Sequence, residues 1–262
     1  MRVDRMRYMK YYEELLDYGC FTSNEVVQLT GNQNTAVKVI ERLIKKGYIE
    51  RVKKDLYVTI NLVDYEPTVN KYRIACEVTD TAVISHHSAL EYYGIANQVY
   101  HNLIVSSYTR FNSFNFHGVH YERTSLSFHD GIEHINQIAV TNIERTIVDC
   151  LHAPQLAGGI EEIIRSFRMI DHVDENKIKT YLLKYDKIIL FQRAGYILEF
   201  FKESMHLSDS FFEFLKKCIP NKNIGYLDCS QKKDCTFDKQ WNIMISNQIR
   251  TTLTKGVEED DI

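Results

Sequence analysis

Lys38, Arg42 and Lys45 stand four and three residues apart within TGNQNTAVKVIERLIKKGYI, residues 30 to 49. That spacing stacks them on one side of a helix, where ammonium and guanidinium groups neutralise phosphates and release the counterions condensed on DNA. Asn34 and Thr35 occupy the amino end of the same stretch. Amide and hydroxyl side chains at that end of a recognition helix reach base edges. Lys53 and Lys54 follow within YIERVKKDLYVTI, where a basic hairpin tip adds backbone contacts. These residue types point to recognition of DNA rather than to bond chemistry.

Other constellations compete less well. Asp171, Glu175 and Lys177 contain the carboxylates and lysine of a Mg²⁺-dependent nuclease, but such a set needs a rigid element aiming them at one metal. DENKIK instead opens a predicted helix with Asp174 as its N-cap and Glu175 in the first turn, where the helix dipole favours it. His86 and His87 lie between Ser85 and Ser88, yet helix neighbours point about 100° apart and do not easily serve one site. Cys218, Cys229 and Cys235, with His206 upstream, match no zinc-ligand spacing, and the six cysteines contain no CxxC pair. No GxxxxGK[ST], G-x-G-x-x-G after a strand, HExxH or GxSxG occurs. The expectation is a protein with no catalytic residues, no metal and no cofactor. FNSFNF, with Arg110 before it, could stack single-stranded nucleic acid, although such alternation more often packs a strand face. Phe111 and Phe114 fall on opposite faces of a regular strand. Arg110 is a candidate for contacting a phosphate or a partner.

The DNA-binding groups need a frame, and the flanking sequence supplies one. DRMRYMKYYEELLDY, residues 4 to 18, places Met9, Tyr12, Leu15 and Leu16 at helical spacing and stops at Gly19. In TSNEVVQLT, Thr22 precedes Glu25 by three residues, the capping-box pattern. Gly31 and Asn32 make a turn, a third helix runs to Lys46, and Gly47 closes it. On a wheel advancing about 100° per residue, Ala36, Val37, Leu43 and Ile44 fall within about 60° of Ile40, while Lys38 and Arg42 fall nearly opposite. Helix, helix, turn, helix and hairpin predict a winged helix-turn-helix over residues 1–62.

Charge supports a local role for this segment. The chain of 262 residues carries a net charge of −3, with 44% hydrophobic and 26% charged residues, as ordinary globular proteins do. Residues 32–54 nevertheless hold seven basic and two acidic side chains. A focused patch of this kind holds polyanions on an acidic protein. No apolar run approaches the roughly 20 residues of a membrane helix, and no signal-peptide core is present, so the expected location is the cytoplasm.

Beyond Pro67 the pattern changes, and a second domain is expected over about 68–250. A helix is predicted near 69–78 and another in AVISHHSALEYYGI, with Ser85 as N-cap and Gly94 as stop. Alternating runs between 98 and 140 predict a small, mostly antiparallel sheet. TNIERTIVDCL restarts helix, with Thr141 and Glu144 in a capping box and Arg145 and Asp149 spaced to pair. Helices follow over about 159–169, 174–185, 187–203 and 208–218, then an apolar run QWNIMIS and an acidic tail over 251–262. The fold class is α+β: an N-terminal winged helix-turn-helix, then a larger domain with a sheet at about 98–140 and a helical part at about 141–218.

AVISHHSALEYYGI, IAVTNIERTIVDCL, GGIEEIIRSF and FQRAGYILEFF occur in that order downstream of the basic segment. With it they make the chain resemble the AbiEi family of type IV antitoxins, from about residue 8 to 247. The resemblance implies a promoter-binding N-terminal domain that represses its own operon at inverted repeats, and a C-terminal domain needed to neutralise a nucleotidyltransferase toxin encoded next door. It implies a monomer that binds DNA cooperatively, with the toxin as functional antagonist. It carries the recognition-helix positions onto Asn34, Thr35, Lys38 and Arg42 and the wing onto Lys53 and Lys54. Where many relatives have an arginine pair this chain has Gln192 and Arg193, which leaves Arg193 as a candidate phosphate or partner contact. Ser85, His86, His87, Glu144, Arg145 and Asp149 mark the family without being assigned antitoxic roles. Two other expectations stand beside this one: a winged-helix repressor with a C-terminal ligand-sensing domain, and the nuclease.

Overall fold

The computed structural model describes residues 2–220, 223–228 and 234–258. Its elements begin with α1 (Arg2–Leu16), β1 (Cys20–Phe21), α2 (Ser23–Thr30), α3 (Gln33–Lys45), β2 (Ile49–Lys53), β3 (Leu56–Thr59) and α4 (Lys71–Cys76). Then come β4 (Val83–Ile84), α5 (His86–Tyr92), β5 (Asn102–Ser107), β6 (Phe114–Phe116), β7 (Val119–Ser125), β8 (Ile132–Ile135) and β9 (Ile138–Thr141). The helical part holds α6 (Ile143–His152), a 3-10 turn (Pro154–Ala157), α7 (Ile160–Phe167), α8 (Glu175–Tyr185), α9 (Ile188–Glu199) and α10 (Asp209–Lys217). β10 (Gly225–Tyr226), β11 (Cys235–Asp238), β12 (Ile243–Ser246) and α11 (Asn247–Glu258) follow. The architecture is α+β. Among the described residues no helix is long and apolar enough to cross a membrane.

Two compact units emerge, one of Met1–Val83, His101–Ser125 and Asn136–Ile138, the other of Ile84–Tyr100, Leu126–Ile135 and Ala139–Ile262. The division does not follow the expected boundary at 62 to 68. The expected linker is tied into the first unit: Pro67 bridges Ile60, and Thr68 N donates to Thr59 O at 2.9 Å.

In the first unit β1, β3 and β2 form an antiparallel sheet in that order. Tyr12, Leu15, Phe21, Val26, Ala36, Val39, Ile40 and Leu43 close a core against it. The capping box of α2 is present: Thr22 N donates to Glu25 Oε2 at 2.6 Å, and Glu25 N returns to Thr22 Oγ1 at 3.4 Å. Gly31, at φ +70°, ends α2 in the left-handed conformation that glycine adopts without steric cost. Gly47 ends α3 in the same way at φ +69°. Gly47 N donates to Ile44 O at 2.9 Å and Tyr48 N to Leu43 O at 3.0 Å, satisfying the last carbonyls. The apolar face of α3 is rotated from the expected one. Val39 is buried, whereas Val37 and Ile44 are 44% and 41% exposed. Packing against α1 and the sheet centres the apolar face between Ile40 and Val39, which turns Val37 and Ile44 to the rim.

The expected mostly antiparallel sheet is mixed instead. β7 returns from its hairpin with β6 and lies parallel to β5 from Asn102↔His120 to Ser107↔Ser125, while its other edge pairs antiparallel with β6. In the second unit Ile84 of β4 pairs in parallel with Val140 of β9, and β8 flanks β9. Sequence alternation marks strands without marking direction, so the error is one of pairing.

The second unit's core runs from Leu90 through the helices α6 to α10 to Leu253. Gly195 on α9 faces Trp241 so closely that a Cβ there would overlap the indole. The predicted capping box at Thr141 and Glu144 does not form. Asn142 caps α6 by accepting from Arg145 N at 2.9 Å, because Thr141 is still in β9 and its hydroxyl bonds Thr146. Glu144 Oε1 accepts instead from Asp174 N at 3.0 Å. QWNIMIS contributes β12 to a small sheet of order β10-β12-β11. Where an acidic tail was expected, α11 extends to Glu258, and residues 259–262 lie outside the described residues.

Candidate nucleic-acid interface

α3 starts from Asn32, whose Oδ1 accepts from Thr35 N at 3.1 Å and lies 3.5 Å from the Thr35 hydroxyl. Capping fixes the first turn, and Asn34 then faces solvent while Thr35 is half-buried. Lys38 and Lys45 are also exposed, and among the described residues no hydrogen bond or ion pair engages the side chains of Asn34, Lys38 or Lys45. Arg42 is exposed as well, but its guanidinium lies over the Tyr8 ring at 5.2 Å, a cation–π contact that orients it along α1. Lys38 and Lys45, with Arg42 at the flank, therefore face away from the buried Val39, Ile40 and Leu43.

The β2–β3 hairpin presents the second group. Asp55 turns its tip at φ +63°, and its carboxylate accepts from Ser23 N at 3.1 Å and from the Ser23 hydroxyl. A carboxylate on the first amides of α2 also suits the helix dipole, so the tip is fixed against α2. Lys54 beside it is exposed, and no partner engages it among the described residues. Lys53 is half-buried, with its ammonium 5.8 Å from the Phe111 ring centre. Burial draws the Lys53 pKa down, with Asp55 acting in the opposite direction. Arg51, which the sequence pattern did not single out, is exposed and donates through Nε to Lys53 O at 3.2 Å. Its two-residue offset from Lys53 along the strand was the available signal.

Arg110 is exposed on the loop between β5 and β6, and no partner engages it among the described residues. Phe111 precedes the strand rather than belonging to it, so its ring meets Phe114 edge-on at 6.4 Å despite the expected opposition of faces. Arg193 is 9% exposed, and its Nη1 donates to Leu151 O at 3.0 Å and His152 O at 3.2 Å. It closes the carboxyl end of α6 and is not placed to touch a phosphate. Its neighbour Gln192 is likewise occupied, donating to Asn223 O at 2.7 Å and Asn242 O at 2.8 Å.

Residues of SHHSALEYYG and GGIEEIIRSF form buried networks. Glu162 Oε1 accepts from His87 Nε2 at 3.2 Å, Gln98 N at 2.9 Å and Ser166 Oγ at 3.2 Å, while Oε2 accepts from Asn97 at 3.1 Å. Burial acts to raise the Glu162 pKa, but the bonds from Asn97, Gln98 and His87 outweigh it and hold the carboxyl below its usual value. Burial pushes His86 down to about 4, so it is neutral at pH 7, and its Nδ1 lies 2.9 Å from Ser85 Oγ. Ser85 itself is fully buried.

Glu175 bonds Lys179 at 2.9 Å and Ser208 through both N and Oγ, while Lys177 lies 3.8 Å from Glu144. Glu175 and Lys177 thus turn to different partners rather than to one metal. Among the described residues no three His, Cys, Asp or Glu side chains gather as a metal site. Cys229 lies outside the described residues.

No protein-family model and no curated protein matches the chain. Among solved structures it is similar to the crystal structure of RV2827C protein from Mycobacterium tuberculosis, with a TM-score of 0.66 at 11% identity. The match covers 95% of this chain and 93% of that one. At that identity the likeness concerns the fold.

Proposed function

We propose that the chain is an autorepressor and the antitoxin of a type IV toxin-antitoxin pair, acting in the cytoplasm. Its first segment, α1 to β3, serves as a winged helix whose third helix enters the major groove. The observation that carries the DNA half is the solvent-facing row of Asn34, Lys38 and Lys45 on α3, beside a hairpin tip fixed to α2 through Asp55 and Ser23. The order helix, helix, turn, helix, hairpin supports the same reading. Lys38, Arg42, Lys45, Lys53 and Lys54 neutralise phosphates, and Asn34 and Thr35 lie nearest the bases. The antitoxin half is supported by the motifs SHHSALEYYG and ERTIVDC, through which the chain resembles AbiEi antitoxins. The remainder of the chain then opposes a nucleotidyltransferase toxin encoded next to it.

Two experiments test the two halves. Full-length protein is titrated with a duplex from upstream of its own gene, and the Lys38→Ala, Arg42→Ala double variant is expected to bind weakly with a flatter salt dependence. Removing one phosphate-neutralising cation lowers the log–log salt slope by about one. Unchanged affinity sinks the assignment of α3. The neighbouring gene is then expressed alone and with this chain. Growth arrest relieved by co-expression supports the antitoxin. A harmless neighbour, with DNA binding released by a metabolite, supports a ligand-sensing repressor instead.

A further inference from the structure

The loop between β5 and β6 is held at its base and charged beyond it. Thr109 N donates to Thr81 Oγ1 at 3.2 Å, and the Thr109 hydroxyl donates to Asp80 at 3.1 Å. Arg123 reaches Ser107 O at 3.3 Å and Thr109 O at 3.4 Å. The next two residues are Arg110, exposed and unengaged among the described residues, and Phe111, over whose ring the Lys53 ammonium sits at 5.8 Å. Phe111 is braced by Phe114, which stacks at 4.7 Å on the buried Tyr121. The Lys53 ammonium therefore lies over the ring of the residue that follows Arg110, which brings cations from distant parts of the chain to one stretch of the first unit. Asp55, the carboxylate nearest in sequence to Lys53, is occupied by Ser23. With a cation over its ring and Phe114 at its edge, Phe111 is poorly placed to stack a base.

We propose that Lys53 and Arg110 form a phosphate clamp that grips the DNA backbone beside the β2–β3 hairpin. The clamp rests on the DNA-binding reading above and adds a contact from outside the helix-turn-helix segment. Lys53 and Arg110 each gain when an anion comes within reach, and a duplex backbone supplies one. A contact of this type positions the protein on the duplex without reading sequence.

The test uses the full chain and a duplex from upstream of its own gene, with salt titration and phosphate-ethylation interference. Arg110→Ala is expected to lower the log–log salt slope by about one, with Arg110→Lys restoring it. Arg110→Ala and Lys53→Gln are expected to abolish interference at the same phosphates, distinct from those that Lys38→Ala affects. Arg110 is exposed, so its variant keeps the fold, and an unchanged thermal transition checks this. A folded Arg110→Ala variant with wild-type slope and interference overturns the clamp while leaving α3 in place. Wild-type DNA binding by that variant together with failed toxin neutralisation also overturns it, and assigns Arg110 to a protein partner. No duplex binding by the wild-type chain overturns the DNA reading and the clamp together.

Discussion

The guanidinium carbon of Arg145 sits 3.4 Å from the centre of the Phe128 ring, with Arg145 only 1% exposed. Asp149 Oδ1 accepts from Arg145 Nε at 2.6 Å and from the Tyr185 hydroxyl at 2.6 Å, and Asp130 O accepts from Arg145 Nη1 at 2.8 Å. A buried cation is tolerated only because its donors and its charge are answered together. Asp149→Ala leaves it unanswered and is expected to cost about 3–5 kcal/mol in denaturant unfolding, as for other broken buried pairs. Phe128→Leu removes only the ring interaction and is expected to cost about 1–2 kcal/mol beyond the reduced packing. Equal, small losses in both variants would refute a paired, caged arginine.

His117 gives the first unit a pH dependence. Its Nε2 lies 2.8 Å from Glu50 and its Nδ1 3.2 Å from Glu66. The hydrogen bond with Glu50, and then Glu66, raise its pKa above 6.5 against a smaller opposing effect of burial. A raised pKa means that the protonated histidine favours the folded state. Its contribution is full below pH about 6.5, the unfolded value, and disappears as pH rises through the higher folded value. Stability measured across that range in the wild type and in His117→Asn should diverge on the acid side and converge on the alkaline side. A constant difference would contradict the ion pairs.

Gly195→Ala is expected to destabilise the second unit by about 1–3 kcal/mol, since the added methyl must displace Trp241 from its place against α9. The indole Nε1 donates to Glu199 at 2.8 Å, so the same displacement breaks a hydrogen bond. Trp241 is the only tryptophan in the sequence, and its fluorescence reports the shift directly. An unchanged emission maximum with unchanged stability would show that α9 accommodates the methyl.

Asn34→Ala and Lys45→Ala should separate sequence preference from general affinity. In competition against mixed-sequence duplex, removal of the Asn34 amide is expected to narrow the gap between preferred and random sites, at about 1–3 kcal/mol for a bidentate base contact. Removal of the Lys45 ammonium is expected to weaken binding to both alike. The reverse pattern would place α3 in a different orientation on the duplex.

Local signals were legible where one residue type has one physical use. Thr22 with Glu25 announced a capping box, Gly47 a helix end, and Asp174 an N-cap, and the structure contains all three. The cations of α3 were legible because a 3.6-residue period separates faces, yet that period alone misassigned Val37 and Ile44, whose exposure depends on what α3 packs against. Strand partners were not legible, since the parallel pairing of β5 with β7 is a long-range choice. Nor was the proximity of Lys53 to Phe111, two residues far apart in sequence. Arg193 was misread for the same reason: a charge looks available until the carbonyls of another helix claim it.

The first core has a consequence for synthesis. Every residue of the cluster around Tyr12, Phe21 and Ile40 lies between Tyr8 and Leu62, so it can close while the ribosome is still making the rest. The second unit has no such freedom: Ile84 waits for Val140, and His87 waits for Glu162. Its early segment, including α5, must stay unfinished until those residues emerge, because contacts distant in sequence form late. A nascent chain stalled shortly after residue 62 has cleared the exit tunnel should therefore already hold its basic helix, well before the buried histidine has found its carboxylate.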